Sequence, residues 1–200
     1  IDAFEASSGP SQAQVKGRIG TALDLSFAVD SPDLATLIPE ARGSVKAEGS
    51  VLGTTEAPQV KLKLAALGVS IADQGVASLS GQADVGLGAG GRFEIRLDGR
   101  DLAAGGLTWQ TLELRGDGAM PDHRLSLILK GQTLSLDLKA SGALKADNVY
   151  QGNLGQLDLD SAQAGRWRLQ KPAPVLVAQP KVTVGPLCLR DAKGGQASLG

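Results

Sequence analysis

The chain has 200 residues, 20% of them charged, and a formal net charge of −1, which is room for one sizeable core and no electrostatic footprint for nucleic acid or an anionic membrane surface. A single cysteine excludes an intramolecular disulfide, and one histidine beside one cysteine leaves no zinc-type ligand cluster, so neither a metal nor another cofactor is expected. No apolar run reaches the ~18–20 residues of a membrane-spanning helix, and no signal-peptide pattern opens the chain.

Residues 1–20 are weakly patterned and read as an N-terminal edge strand or a frayed end; residues 21–200 read as one continuous β-segment of a longer protein. Alternation begins at Leu23, Leu25, Phe27 and Val29, set against Asp24, Ser26 and Asp30. Ser31-Pro32-Asp33, followed by Leu34, Leu37 and Ile38, predicts one short helix over 31–38. Strands resume with Val45 to Val51, turn at 53–58, and continue with Val60, Leu62, Leu64 and Ala66 against Lys61 and Lys63. Val69 and Ile71 extend that strand weakly. Ala77, Leu79, Gly81, Ala83, Val85 and Leu87 share the next apolar face, and a glycine-rich turn at 88–91 leads into Phe93, Ile95 and Leu97.

Trp109, Leu112 and Leu114 come next, and then the clearest pattern of the chain. Leu125, Leu127 and Leu129, then Leu134, Leu136 and Leu138, are spaced by two with mostly polar residues between them. A two-residue turn at Gly131-Gln132 would pair Leu129 with Leu134, Leu127 with Leu136 and Leu125 with Leu138. Leu154, Leu157 and Leu159 follow, then Trp167 and Leu169 between Arg166 and Arg168. Pro172, Pro174 and Pro180 bracket Val175 and Val177, which fits an edge or a connector. Val182, Val184, Leu187 and Leu189 close the pattern. Ten to thirteen strands in a meander are expected, hidden on their dry side by a second sheet, by closure into a barrel, or by bending into a trough.

No catalytic constellation emerges. His123 reads as a solvated turn residue and Cys188 as a small buried thiol. Asp158 and Asp160 flank Leu159 on the outward face of a strand. Residues 86–91 match G-x-G-x-x-G, but the dinucleotide fingerprint needs a helix to follow, and Phe93-Glu94-Ile95-Arg96-Leu97 is a strand pattern. In Arg166-Trp167-Arg168 the indole points inward between two outward guanidinium groups. With three Phe, two Trp and one Tyr, the apolar surface is almost wholly aliphatic. That fits either an aliphatic β-core or a surface for flexible hydrocarbon.

Gly49-Ser50-Val51-Leu52-Gly53-Thr54, followed by Pro58-Gln59-Val60-Lys61-Leu62-Lys63-Leu64, resembles the recurring G-x-L-x-G-T-x-x-x-P-x-L-x-L-x-L unit of the TamB family, subunits of the translocation and assembly module. Residues 31–39, 107–116 with 123–127, and 150–152 through 165–167 to 187–189 are similar to further stretches of that family. The resemblance implies an all-β, elongated meander sheet curled into an open hydrophobic trough, the β-taco, with one short helix. It implies a non-enzymatic, periplasmic portion of an inner-membrane-anchored protein that works with a TamA-like outer-membrane barrel in outer-membrane biogenesis. The family's membrane anchor and its partner-facing C-terminal segment are not recognised in these residues.

Two accounts of the role follow. The trough conducts phospholipids between inner and outer membrane, or the protein assists insertion or secretion of outer-membrane β-barrel proteins and autotransporters by strand addition. A polysaccharide-acting or adhesin-like solenoid would show shorter strands with stacked aromatics or acidic clusters, and neither is present. On the first account the phospholipid acyl chains would lie on Leu23, Leu25, Phe27, Val29, Val60, Leu62, Leu64, Leu79, Phe93, Ile95, Leu97, Leu112, Leu114, Leu125, Leu127, Leu129, Leu134, Leu136, Leu138, Leu157 and Leu159.

Overall fold

The computed structural model describes residues 3–88, 90–145, 149–178 and 180–199. Among them the chain forms β1 (Ala3–Ser8), β2 (Ser11–Ile19), β3 (Ala22–Ser31), a 3-10 turn η1 (Leu34–Thr36), β4 (Ala41–Thr54), β5 (Pro58–Ile71), β6 (Gln74–Gly86), β7 (Arg92–Ala104) and β8 (Leu107–Ala119). It continues with β9 (Asp122–Lys130), β10 (Leu134–Leu144), β11 (Tyr150–Ser161), β12 (Gly165–Leu169), β13 (Ala173–Ala178), β14 (Lys181–Val184), β15 (Leu187–Asp191) and β16 (Gln196–Leu199). All sixteen strands belong to one antiparallel sheet, and β1 to β12 pair in chain order. The sheet is not closed into a barrel, and among the described residues no second sheet packs on it.

The all-β meander expected from the alternation is therefore what the chain adopts, with more strands than the ten to thirteen expected. The additional ones are short, because the patterning at both ends of the chain is weak. After β11 the sheet forks. β12 pairs the far end of β11 at 158–161, β13 pairs its near end at 150–154, β15 and β16 continue from β12, and β14 covers β13. Val175 and Val177 thus lie between two strands rather than on an edge. Pro174 stands in that strand and accepts a backbone hydrogen bond from Gly185 at 2.8 Å.

The helix expected over 31–38 shortens to the three residues of η1. Ser31 is still in β3, buried and hydrogen-bonded to Ser11 at 2.8 Å, so the cap falls to Asp33, whose carboxylate accepts from the Ala35 N–H at 3.0 Å. Pro39, two residues before β4, leaves no room for a further turn.

The hairpin at 123–140 also differs from the expected register. Leu129 pairs Leu136, Leu127 pairs Leu138 and Leu125 pairs Ala140, a slip of two residues that keeps every leucine on the same side. The loop is longer because Ser135 Oγ bridges back to Gly131, accepting from its N–H at 3.2 Å and donating to its C=O at 3.1 Å. Thr133 in turn gives its carbonyl to the Ala162 N–H at 3.0 Å.

A line of irregularity crosses four adjoining strands. Pairing skips Gly68 in β5, Ala77 in β6, Asp101 in β7 and Gln110 in β8, all of which are exposed. Beyond it Val69, Val76, Leu102 and Trp109 face one another as direct partners and are half-buried. Gly68 and Asp101 have φ of 59° and 50°, the left-handed conformation that turns a strand's side chains over. The alternation is thereby reset by one residue along a crease. Ala77, expected on the apolar face, leaves it, and Val76 takes its place.

Candidate functional site: one apolar sheet face

The register fixes which side chains share a face. Val29, Ala47, Leu64, Gly81, Leu97, Leu114, Leu127, Leu138 and Leu157 are successive direct partners across β3 to β11. At about 4.8 Å per strand this row runs roughly 40 Å. A parallel row contains Leu79, Gly99, Leu112, Leu129, Leu136, Leu159 and Trp167. A third begins with Phe27, Gly49, Leu62, Ala83 and Ile95. By this pairing, every residue named above as an acyl-chain contact falls on one side of one sheet.

Each of those residues, from Leu23 to Leu159, is half-buried; none is fully buried and none fully exposed. Among the described residues the buried apolar ones are Ala41, Ala66, Met120, Leu154, Ala173 and Leu189. The chain exposes 12444 Å², against roughly 8,800 Å² for a compact monomer of this size. The excess is that of a sheet with both faces open. The apolar side chains touch their cross-strand neighbours laterally but have no layer above them.

Glycine lets large side chains lie flat on this face. A Cβ on Gly49 would stand 2.4 Å from Phe27 Cζ, and one on Gly116 would stand 2.7 Å from Phe93 Cε1. A Cβ on Gly99 would likewise stand 3.2 Å from Cδ1 of both Leu79 and Leu102.

The opposite face is polar and paired. Asp30 and Lys46 stand directly opposite each other and form an ion pair at 2.9 Å; so do Glu48 and Lys63 at 3.3 Å, Asp158 and Arg168 at 3.0 Å, and Asp160 and Arg166 at 2.7 Å. Asp158 and Asp160 are on the outward face, as expected, and Trp167 lies between its two arginines with its N–H donating to Ala164 O at 2.8 Å. The grooves that indent this surface lie on the polar side. One of about 590 Å³ passes Lys16, Glu48, Lys61 and Gln82; another of about 750 Å³ passes Asp30, Lys46, Lys63 and Asp98. Sequence reasoning missed them, since their charged residues were legible but the local relief was not.

Two single residues depart from expectation. His123 is not a solvated turn residue. It is 4% exposed, stands on β9 in the row of Leu125, and packs its ring at 4.5 Å from Phe93 and 5.5 Å from Tyr150. Its Nδ1 lies 3.3 Å from the carbonyls of Ala119 and Met120, which can only accept, so Nδ1 carries the proton. Burial raises the pKa of the Tyr150 phenol beside it. Cys188, in turn, is exposed rather than buried, because it alternates with Leu187 and the buried Leu189.

The G-x-G-x-x-G match begins at the last residue of β6 and ends one residue before β7, so a strand follows it; Ala89 within it lies outside the described residues. Among the described residues no group of three or more His, Cys, Asp or Glu side chains is placed to hold a metal ion, and no helix is long and apolar enough to cross a membrane.

A family model described as TamB, N-terminal domain, matches residues 1–196. The chain belongs to the TamB family. The match takes in the weakly patterned first twenty residues as well as the meander, and it makes the chain part of a translocation and assembly module component, which is not a known enzyme family. No solved structure matches the chain.

Proposed function

We propose that the apolar face conducts phospholipids between the inner and outer membrane, curled as a trough within the periplasmic portion of an inner-membrane-anchored protein that meets a TamA-like outer-membrane barrel. The observation that carries this reading is the uniform half-burial of the face from Leu23 to Leu159 on a sheet with no covering layer. Aliphatic side chains left in that state gain free energy from any apolar cover, at about 25 cal/mol per Å² removed from water. A hydrocarbon chain covers them without asking for a directional partner, and the face offers few polar side chains to hold one in place.

Photo-crosslinking residues at Leu127 and Leu138 in the full-length protein should capture phospholipid in cells. The same probes at Ser126 and Lys139, one residue away on the polar side, should not. Equal capture at all four positions would refute the reading. A second account, strand addition to client barrel proteins, draws support from β1, whose six residues are all exposed and which, among the described residues, pairs β2 alone. It expects crosslinks from Glu5 and Ser7 to outer-membrane proteins instead.

A further inference from the structure

The chain has two tryptophans, and both fall on the apolar side, opposite Leu102 and Leu159. Trp167 satisfies its indole N–H within its own turn, on Ala164 O at 2.8 Å. Trp109 does not: its Nε1 is buried and without an acceptor. The ring sits beyond the crease, near the start of β8, with its Cδ1 edge 3.0 Å from where a Cβ on Gly131 would stand. A buried donor with no partner is an unmet demand for an oxygen atom.

The surroundings say which kind of molecule would bring one. Leu112 and Leu114 continue from Trp109 along β8, and Leu129 and Leu127 lie directly opposite them on β9. From Trp109 to Leu114 is about 17 Å, close to the ~15 Å that one leaflet's chains occupy in a bilayer core. We propose that Trp109 marks a polar subsite at the edge of the apolar face. There its indole N–H, brought out by a small rotation about χ2, donates to an ester or phosphate oxygen of a lipid whose acyl chain lies along Leu112 and Leu114. This rests on the reading of the face as a lipid surface and adds a fixed point to it, with the oxygen-bearing end of the lipid held on the side of the β7–β8 and β9–β10 turns.

The test uses the full chain with ¹⁵N-labelled indoles, titrated with dioctanoylglycerol (esters without phosphate), dodecyl phosphate (phosphate without ester) and dodecane (neither). Trp109→Phe assigns the two N–H signals, and Trp167 serves as the internal reference. The Trp109 signal should move downfield with one or both oxygen-bearing probes, naming the acceptor, and stay in place with dodecane. Trp109→Phe, which keeps a ring but loses the donor, should weaken binding of the effective amphiphile about three- to ten-fold and leave dodecane binding unchanged. Equal movement with dodecane, or amphiphile binding with a silent Trp109, overturns the subsite and leaves the lipid reading standing. Binding of none of the three probes overturns both.

Discussion

Placing a carboxylate in the middle of the apolar face separates an open surface from an enclosed core. Leu127 is half-buried, with Leu114 and Leu138 as its direct partners. A fully buried leucine contributes about 1.5–3 kcal/mol, so half that burial is worth about 0.8–1.5 kcal/mol. On an uncovered face the new carboxylate of Leu127→Asp keeps its water and adds little further cost. Leu154 is 7% exposed, and Leu154→Asp buries the charge, which costs several kcal/mol or forces the group to take up a proton. Urea unfolding followed by circular dichroism should therefore give a loss of about 1–2 kcal/mol for Leu127→Asp and at least twice that for Leu154→Asp. Ser126→Asp, on the polar side opposite Arg115 and Lys139, should stay within about 0.5 kcal/mol of the parent. In the full-length protein, if the face conducts lipid as proposed, Leu127→Asp should leave protein levels near normal and abolish function, since a charge would then lie in the path of the acyl chains. If Leu127→Asp unfolds the chain as Leu154→Asp does, the face is enclosed and the argument from half-burial fails.

His123→Ala should cost about 1–3 kcal/mol in the same assay, because it empties a buried site and removes the Nδ1 contacts to the Ala119 and Met120 carbonyls, the second of which keeps the Leu144 N–H at 2.9 Å. Tyr150, the chain's only tyrosine, has a pKa raised by burial. The unfolded phenol ionises first, at its ordinary ~10, so stability should fall as pH climbs above about 10, and Tyr150→Phe should remove that fall. Gly49→Ala places a methyl 2.3 Å from the Lys61 carbonyl and 2.4 Å from Phe27 Cζ, and should destabilise by about 1–3 kcal/mol. Arg168→Ala breaks an ion pair whose side chains are 72% and 36% exposed; the loss should be under about 1 kcal/mol and should vanish in high salt.

Much of this fold was legible because the alternation in β3, β9 and the first part of β7 is clean, and there the face of each leucine follows from parity alone. The crease was written in the sequence too, as a one-residue change of phase between Ala66 and Val69 and between Trp109 and Leu112. Such a change looks like weakening alternation until four strands are aligned, and only the pairing aligns them. His123 and Cys188 were misplaced for an avoidable reason. His123 has the parity of Leu125, and Cys188 the opposite parity to Leu187 and Leu189, so the rule that sorted the leucines would have sorted both. The hairpin loop was not legible in that way. A two-residue turn satisfied the pattern, and the hydrogen bonds of Ser135 to Gly131 that lengthen it depend on a side-chain geometry no periodicity encodes.

The same half-burial that leaves the face hungry for cover also keeps it from holding any one ligand tightly. On the proposed reading, an acyl chain lying on the row from Val29 to Leu157 gains apolar contact on its protein side alone, so no single position along the row is a deep well. Successive strands present the same chemistry every ~4.8 Å, which makes neighbouring positions nearly degenerate. That is the energetic profile of a path rather than of a pocket. It also explains why ionic groups are confined to the other side, where Asp30–Lys46 and Asp158–Arg168 fix register through cross-strand pairs that any one-residue slip would destroy. On that profile the unpartnered Trp109 N–H is a departure, a donor standing at the margin of an otherwise featureless surface. A lipid held there by one hydrogen bond would be oriented, its polar end at the edge and its chain across the strands' length, without being trapped.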